Sequence, residues 1–275
     1  MSLERNMRCV YARAYVRILG ANRELSWVFF DTFLPLLGVA AFVYIYKATT
    51  QDPEVLNTLL TRVILGGSMA AFWMNVLWGM GANFYYEKEN GNLELFLMAP
   101  TSRMALLLGM AIGGLFNTTF RAMSTVLLGS VIFGVSFALT SPLQLLAVFF
   151  LTLLALYGMG MLFASLFLMY GREAWHISNL LQEPIFLLSG FYFPVRFLGF
   201  YVVTIASFIP LTLGLDAMNQ ILGGRYALEW GLLPVGTEIG ILAVLSILFV
   251  LMAKYALAYM EERGRREGSL VLKFQ

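Results

Sequence analysis

The sequence predicts an all-α integral membrane protein with six transmembrane helices, an amphipathic N-terminal interfacial helix, and a re-entrant or broken helical pair between spans five and six. Three observations lead there. The chain is 60% hydrophobic and 12% charged with a mean hydropathy of +0.78, whereas soluble domains carry about a quarter charged residues. Several apolar runs approach the roughly 20 residues that a helix needs to cross about 30 Å of hydrocarbon. Lysine and arginine gather in a few short clusters between those runs, which is how topology is written in such chains.

Residues 5–24 hold five arginines, with Val10, Ala14 and Ile18 on one side of a helix and Arg13 and Arg17 elsewhere. That pattern suits an interfacial helix on anionic lipid. Leu25 to Tyr46 is span one, opened by Trp27 and holding Asp31 near one end. A polar stretch from Lys47 to Arg62 contains the turn signal Asp52-Pro53, and Val63 to Ala82 is span two. Residues 84–103 form an amphipathic excursion with several charges around Gly91-Asn92 and a proline at Pro100.

Met104 to Leu139 is apolar apart from Arg121. As one helix it would measure roughly 54 Å, so its first turns are expected to project from the lipid. Arg121 is read as snorkelling, with a functional role as the other reading. Leu143 to Tyr170 is span four and Ala174 to Phe193 span five, linked by Gly171-Arg172-Glu173. Phe197 to Leu222 is apolar enough to cross but is broken by Pro210 and holds Asp216. Gly231 to Ala253, with Glu238, is the last span.

Charge bias decides how the broken segment is counted, because cytoplasmic loops are enriched in lysine and arginine. If it turns back, residues 257–275 form a cytoplasmic tail and thirteen of the eighteen basic residues lie inside. Residues 194–230 are therefore read as a re-entrant pair at the outer face, the whole of 1–275 as one domain, and both termini as cytoplasmic in a multi-pass inner (cytoplasmic) cell-membrane protein.

Several function classes drop out. The net charge of +2 is too mild for nucleic acid. One cysteine, Cys9, and one histidine, His176, leave neither a disulfide framework nor a Cys/His metal site. No phosphate-binding G-x-x-x-x-G-K-[ST] loop, G-x-S-x-G elbow or H-E-x-x-H helix is present. The chain is expected to be neither an enzyme nor the ATPase of a pump, and to bind no cofactor of its own.

The stretch Tyr85-Tyr86-Glu87-Lys88-Glu89-Asn90-Gly91-Asn92-Leu93-Glu94-Leu95-Phe96-Leu97-Met98-Ala99-Pro100 resembles the E-x-x-x-G-x-L-E-x-L-x-x-x-P segment of ABC-2 type permeases, the membrane subunits of ATP-driven exporters for polysaccharides, lipids and drugs. Glu87, Gly91, Leu93, Glu94, Leu95 and Pro100 carry the match. The basic arm, the six spans and the Ser189-Gly190-Phe191-Tyr192-Phe193-Pro194 turn extend it over most of the chain.

The resemblance implies that residues 84–103 form a coupling helix docked on a separate ABC ATPase, which holds the ATP and Mg. A second permease, identical or homologous, would complete the membrane part, working by alternating access in the export direction. The residue types suit the role. Leu93, Phe96 and Leu97 can fill an apolar groove, Glu87, Glu89 and Glu94 can line its rim, and Gly91 permits a sharp turn; Leu95 completes the match. The arm is either a membrane anchor alone or a further ATPase contact, and Arg172 is either a second coupling contact or part of a plain tight loop.

Ionisable residues within spans are costly and so are functional candidates. Glu183, beside Pro184, is read as facing the translocation path or the seam between permeases, with a structural hydrogen bond as the other reading. Phe72, Trp73 and Trp78 on span two, with Phe186, Phe191 and Tyr192 on span five, are candidate path residues for a lipid, polysaccharide or glycolipid, or drug-like substrate, or else packing residues. The alternative class is a proton-coupled secondary carrier or channel using Asp31, Glu183 and Glu238. No inverted repeat favours it, and a membrane transferase lacks a clustered acid or metal pair.

Overall fold

The computed structural model describes residues 3–21, 25–81, 87, 90–91, 95, 98–170 and 173–267. Among them there is no strand. The helices are α1 (Leu3–Ala21), α2 (Leu25–Thr49), α3 (Pro53–Met74), α4 (Arg103–Phe133), α5 (Pro142–Tyr170), α6 (Glu173–Leu188), α7 (Phe200–Ala206), α8 (Pro210–Leu222), α9 (Arg225–Glu229) and α10 (Val235–Glu267). A π-helical segment, Asn75–Gly81, continues α3, and a 3₁₀ turn spans Val195–Leu198.

Four helical segments are long and apolar enough to cross a membrane: Pro53–Gly81, Arg103–Phe133, Pro142–Leu166 and Val235–Met260. The pair α7 and α8 brings the number to five if counted as one bent span. The expected count of six is therefore met only in part. The apolar part of α2 counted among the described residues is Pro35–Thr49. The sixteen residues of α6 reach only about 24 Å.

Several boundaries differ from the sequence reading for local reasons. The polar stretch between the first two spans is mostly helical, because Asp52 caps α3 by accepting the Glu54 and Val55 N–H groups and Pro53 sits at its first position. The long run after residue 103 begins with Ser102 accepting the Ala105 N–H and stops at Gly134, whose φ of 72° closes the helix in the left-handed region. Residues 135–139 are therefore loop rather than helix. The last helix continues to Glu267, well past the apolar run.

Helix α1 runs parallel to the first half of α4. Asn6 accepts the Ser102 N–H, and eleven residues on the Arg17 carbonyl accepts from Asn117. The approach is possible because Gly109 and Gly113 face α1: a side chain at Gly113 would stand 2.9 Å from the Ala14 carbonyl oxygen. Beyond that point α2 takes over the second half of α4, with Lys47 donating to the Phe133 carbonyl. The sequence thus covers one long apolar helix with two shorter ones end to end.

The α7–α8 pair bends by 105° at its break. Its flanks meet: Arg196 donates to the Glu229 carbonyl at 2.7 Å, and Phe197 lies edge-on to Trp230. The chain thus enters and leaves this element at one end of the bundle, the end that carries the α2–α3 and α4–α5 connections, since Ala138 and Thr58 donate to the Leu222 and Gly223 carbonyls. Every residue of α8 is buried.

Burying all faces of a thirteen-residue helix requires its polar side chains to be matched. Asp216 and Arg62 of α3 form an ion pair at 3.3 Å with each side chain 1% exposed. The second Asp216 oxygen accepts from Gln220 at 3.0 Å and from the Leu232 N–H at 2.8 Å, and Gln220 also donates to Glu238 and to the Leu233 carbonyl. One cluster thereby joins α3, α8, the loop before α10, and the first turn of α10.

Two outcomes follow from this packing. Asp216→Leu strands the Arg62 charge and should cost about 3–5 kcal/mol, while Arg62→Met with Asp216→Leu should recover much of that loss, as read from thermal unfolding in detergent. Equal losses in the single and double variants would refute the pairing. Gly113→Leu should push α1 from α4 at a cost of about 1–3 kcal/mol, raising alkylation of the half-buried Cys9 thiol by roughly tenfold; unchanged labelling would refute the close approach.

Candidate functional site

A cavity of about 560 Å³ lies between α1, α2, the end of α3, α4 and α6. Residues without side chains make up much of its wall. Gly38, Gly66, Gly67, Gly79 and Gly114 line it. Nothing stands within 4 Å of where a Cβ on Gly38 would sit, so that glycine borders open space. At Gly79 and Gly114 the room is taken instead by the Arg17 guanidinium and the Asn75 amide.

The cavity is polar at one end. Arg17 comes from the last turns of α1, Arg121, Asn117 and Thr118 from α4, and Asn75 from the π-helical segment. Tyr157 donates its hydroxyl to Asn75 at 3.2 Å, tying α5 to this end. Burial pulls the Arg17 guanidinium below the ordinary arginine value; Tyr157 opposes that shift, Arg13 adds to it, Glu87 opposes it and Arg121 adds to it. An arginine stays protonated through such a shift.

The other end is aromatic. Phe186 leads toward it from the middle of the cavity, where Trp78, beside Gly79 at the level of the Arg17 guanidinium, donates its indole N–H to Gln182 at 3.1 Å. Phe191 and Tyr192 close this end from the turn after α6. The turn is possible because Gly190 has φ +72°, and it packs so that the Phe191 carbonyl lies against Gly66. Tyr46 donates to the Tyr192 carbonyl at 2.8 Å, and Phe42 stacks on the Tyr192 ring with centroids 3.9 Å apart.

Of the candidate path residues, the structure brings Trp78, Phe186, Phe191 and Tyr192 to the cavity and leaves the others out. Phe72 and Trp73 are fully buried on the opposite side of α3, edge-on to Phe149 and Phe163 of α5. Glu183 is exposed on α6, where it accepts from the neighbouring Gln182. Glu238 lies in the Arg62–Asp216 cluster, so these two carboxylates do not share one site. The side chain of Asp31 lies outside the described residues.

At the opposite end of the bundle from the α2–α3 loop, Glu87 pairs with Arg13 of α1. Gly91 adopts φ +76° and is exposed, and Leu95 and Met98 are 62% and 73% exposed. Glu89, Leu93, Glu94, Leu97 and Arg172 lie outside the described residues. Both Arg13 and Arg17 point inward, toward Glu87 and the cavity, while Tyr11, Tyr15 and Leu19 form the outward side of α1.

Sequence reasoning did not single out Asn75, Asn117, Thr118 or Gly38. The one signal near the first was a polar residue followed by Gly79 and Gly81 inside an otherwise apolar span; it opens the π-helical segment, a kind of winding found often at functional sites.

Comparison with curated proteins returns no match. A family model described as ABC-2 type transporter matches residues 8–222, which takes in α1, the cavity, residues 87–103 and the bent pair. The chain is a member of the ABC-2 type transporter family, a multi-pass membrane protein of the permease kind.

Proposed function

We propose that the chain is the permease subunit of an ATP-driven exporter. It forms the translocation path for a lipid, a polysaccharide or glycolipid, or a drug-like molecule, and is driven by a separate ABC ATPase that carries ATP and Mg. A second copy or a homologous permease completes the path. The chain crosses the inner membrane six times, with α7 and α8 re-entrant from the outer face and both termini in the cytoplasm.

The observation that carries this reading is the exposed apolar pair Leu95 and Met98 in a segment anchored to the bundle through the Arg13–Glu87 ion pair. Exposed anchors of this kind on a fixed base suit docking on a groove. About 20 residues ending at Phe133 would fill a 30 Å hydrocarbon core, so the start of α4, all of α1 up to Arg17 and residues 87–103 would stand on the cytoplasmic side, where a soluble ATPase can reach them. Leu93, Glu94 and Leu97 belong to the same docking segment, with Glu89 at its rim and Arg172 as a second contact.

Force applied at Glu87 has a short path inward. Arg13 receives it on α1, and one turn further along the same helix Arg17 enters the cavity. Closure of two ATPases would thus tilt α1 and the start of α4 together and change the cavity's shape. The seam with the second permease would use α6 and α7, where Leu180, Leu187, Phe200 and Tyr201 are exposed.

The test is retention of an ATPase through purification from native membranes. Leu95→Asp with Met98→Asp should lower the co-purified ATPase activity by more than tenfold, a loss of about 2 kcal/mol or more, without changing the thermal unfolding of the chain itself. Undiminished retention in the double variant would overturn the docking assignment. Transport that persists without any ATPase and collapses with the proton gradient would overturn the larger reading.

A further inference from the structure

We propose that a groove between α1, α4 and α5 holds one acyl chain of a bilayer phospholipid, with the head group at the Asn6–Ser102 end. The groove encloses about 570 Å³, within the roughly 300–1,000 Å³ typical of ligand sites. It uses a different face of α4 from the one that carries Asn117 and Arg121 into the Arg17 cavity.

Its walls admit an apolar body and little else. Ala105 and Ala111 of α4 and Leu153, Tyr157 and Met161 of α5 are buried and line it. Helix α1 adds Leu3, Met7 and Val10, and α10 adds Val250. The polar side chains among the described lining residues are turned to protein: Asn6 accepts the Ser102 N–H, the Ser102 hydroxyl accepts the Ala105 N–H, and Tyr157 donates to Asn75. A buried water needs about two to four polar partners, which such walls do not supply. Left empty, they forfeit the dispersion contacts of close packing.

The place where the groove opens decides what enters. Leu108 and Ile112 of α4, with Phe150 and Leu154 of α5, line it and are exposed. On α4 the same face continues through exposed Phe116 and Phe120, and on α5 it leads back through exposed Leu146 and Leu143. Both stripes belong to membrane-crossing segments, Arg103–Phe133 and Pro142–Leu166, whose exposed apolar faces meet lipid. The mouth is thus continuous with the lipid-facing surface, where acyl chains are the apolar groups at hand.

Length and polarity give the orientation. From Ser102 to Leu115 the groove follows about 20 Å of α4, enough for a chain that spans one leaflet, about half of a 30 Å core. Asn6 and Ser102 mark one end, and Leu115 and Phe150 lie toward the other. A chain in this position completes the seat of α1. Gly109 and Gly113 bring α1 onto α4, and the acyl chain supplies its contacts toward α5.

The experiment is photolabelling of the full chain in vesicles of phosphatidylethanolamine and phosphatidylglycerol, using a tracer phospholipid with a diazirine midway along one acyl chain and mapping the label by peptide mass spectrometry. Label should reach the buried Leu153 and Met161 as well as the exposed Val244 and Ile247 of α10, which any bilayer chain can touch. Leu108→Asp sets a charge at the mouth and Ala111→Phe fills part of the wall. Each should lower labelling of Leu153 and Met161 by about tenfold or more and leave Val244 and Ile247 unchanged. Leu108 is exposed, so its variant decides the matter if Ala111→Phe unfolds. A diazirine beside the glycerol should move the label to Met7 and Met104.

Label confined to exposed residues, or undiminished at Leu153 and Met161 in Leu108→Asp, would overturn the proposal. Failure of the label to move with the diazirine would overturn the orientation. Leu270→Asp with Leu272→Asp should change nothing; a tenfold rise in groove labelling there would make the chain's own tail the occupant and refute the lipid. No ATPase enters the measurement, so a failure here leaves the docking assignment standing.

Discussion

The Arg62–Asp216 pair is the joint on which the far end of the bundle depends. Two charges 3.3 Å apart and almost fully removed from solvent are costly in an apolar interior unless their remaining capacity is met; Asp216 meets it with Gln220 and the Leu232 N–H, while among the described residues the Arg62 Nε and second guanidinium nitrogen find no hydrogen-bond partner. Irregular backbone at membrane depth is subject to the same demand, since an unpaired peptide group in hydrocarbon costs several kcal/mol. By holding α8 against α3 and α10, the pair fixes the buried half of a segment that bends by 105°, while α7 and the bend leave Phe200, Tyr201, Ile205 and Phe208 exposed. The Leu222 and Gly223 carbonyls left at the end of α8 are then within reach of Ala138 and Thr58.

At the near end the equivalent constraint is steric. Gly109 and Gly113 let α1 lie so close to α4 that the Cβ of Arg17 sits against a glycine rather than a side chain, and this carries its guanidinium as far as Gly79 in the π-helical segment. The π turn contributes in its own way, since its wider winding presents Asn75, Trp78 and Gly79 together to the cavity. Small residues therefore do two separate things here: they allow close approach, at α1–α4 and where Val39 and the Phe191 backbone lie on Gly67 and Gly66, and at Gly38 they border open space. The family match spans both features, but the chemistry of the cavity is particular to the side chains that occupy them.

The existence and order of the long helices were legible in the sequence because apolar run length and charge clustering depend only on the solvent. The turn at Gly190 and the break at Pro210 were legible too, as local backbone chemistry. What could not be read was direction around each helix. A span surrounded by lipid on one side and protein on the other is apolar all round, so the 3.6-residue period that marks an inward face is erased. That is why Phe72 and Trp73, which pack on α5, could not be told from Trp78, which faces the cavity. Arg62 was counted with a polar loop since its partner, Asp216, lies 154 residues away, and no local pattern announces such a pairing. Arg121 was read as snorkelling, with a functional role as the other reading; it lines the cavity beside Asn117 and Thr118, a position that the apolar run around it does not announce.

The joints around the cavity differ in kind. The turn that closes its aromatic end is held by the Tyr46 hydrogen bond and the Phe42 ring stack, each worth about 0.5–1.5 kcal/mol, and by the Phe191 side chain, which is 1% exposed and edge-on to Phe186 and whose burial adds about 1.5–3 kcal/mol. Displacing α8 would separate a buried ion pair at about 3–5 kcal/mol and strip two further hydrogen bonds from Asp216. The two joints are thus of comparable size, but the first is spread over several small contacts that can be exchanged one at a time, whereas the second is concentrated in one charge pair that is lost whole. A movement of the turn while α8 holds its place would uncover the aromatic end of the cavity and leave Arg17 at the closed one.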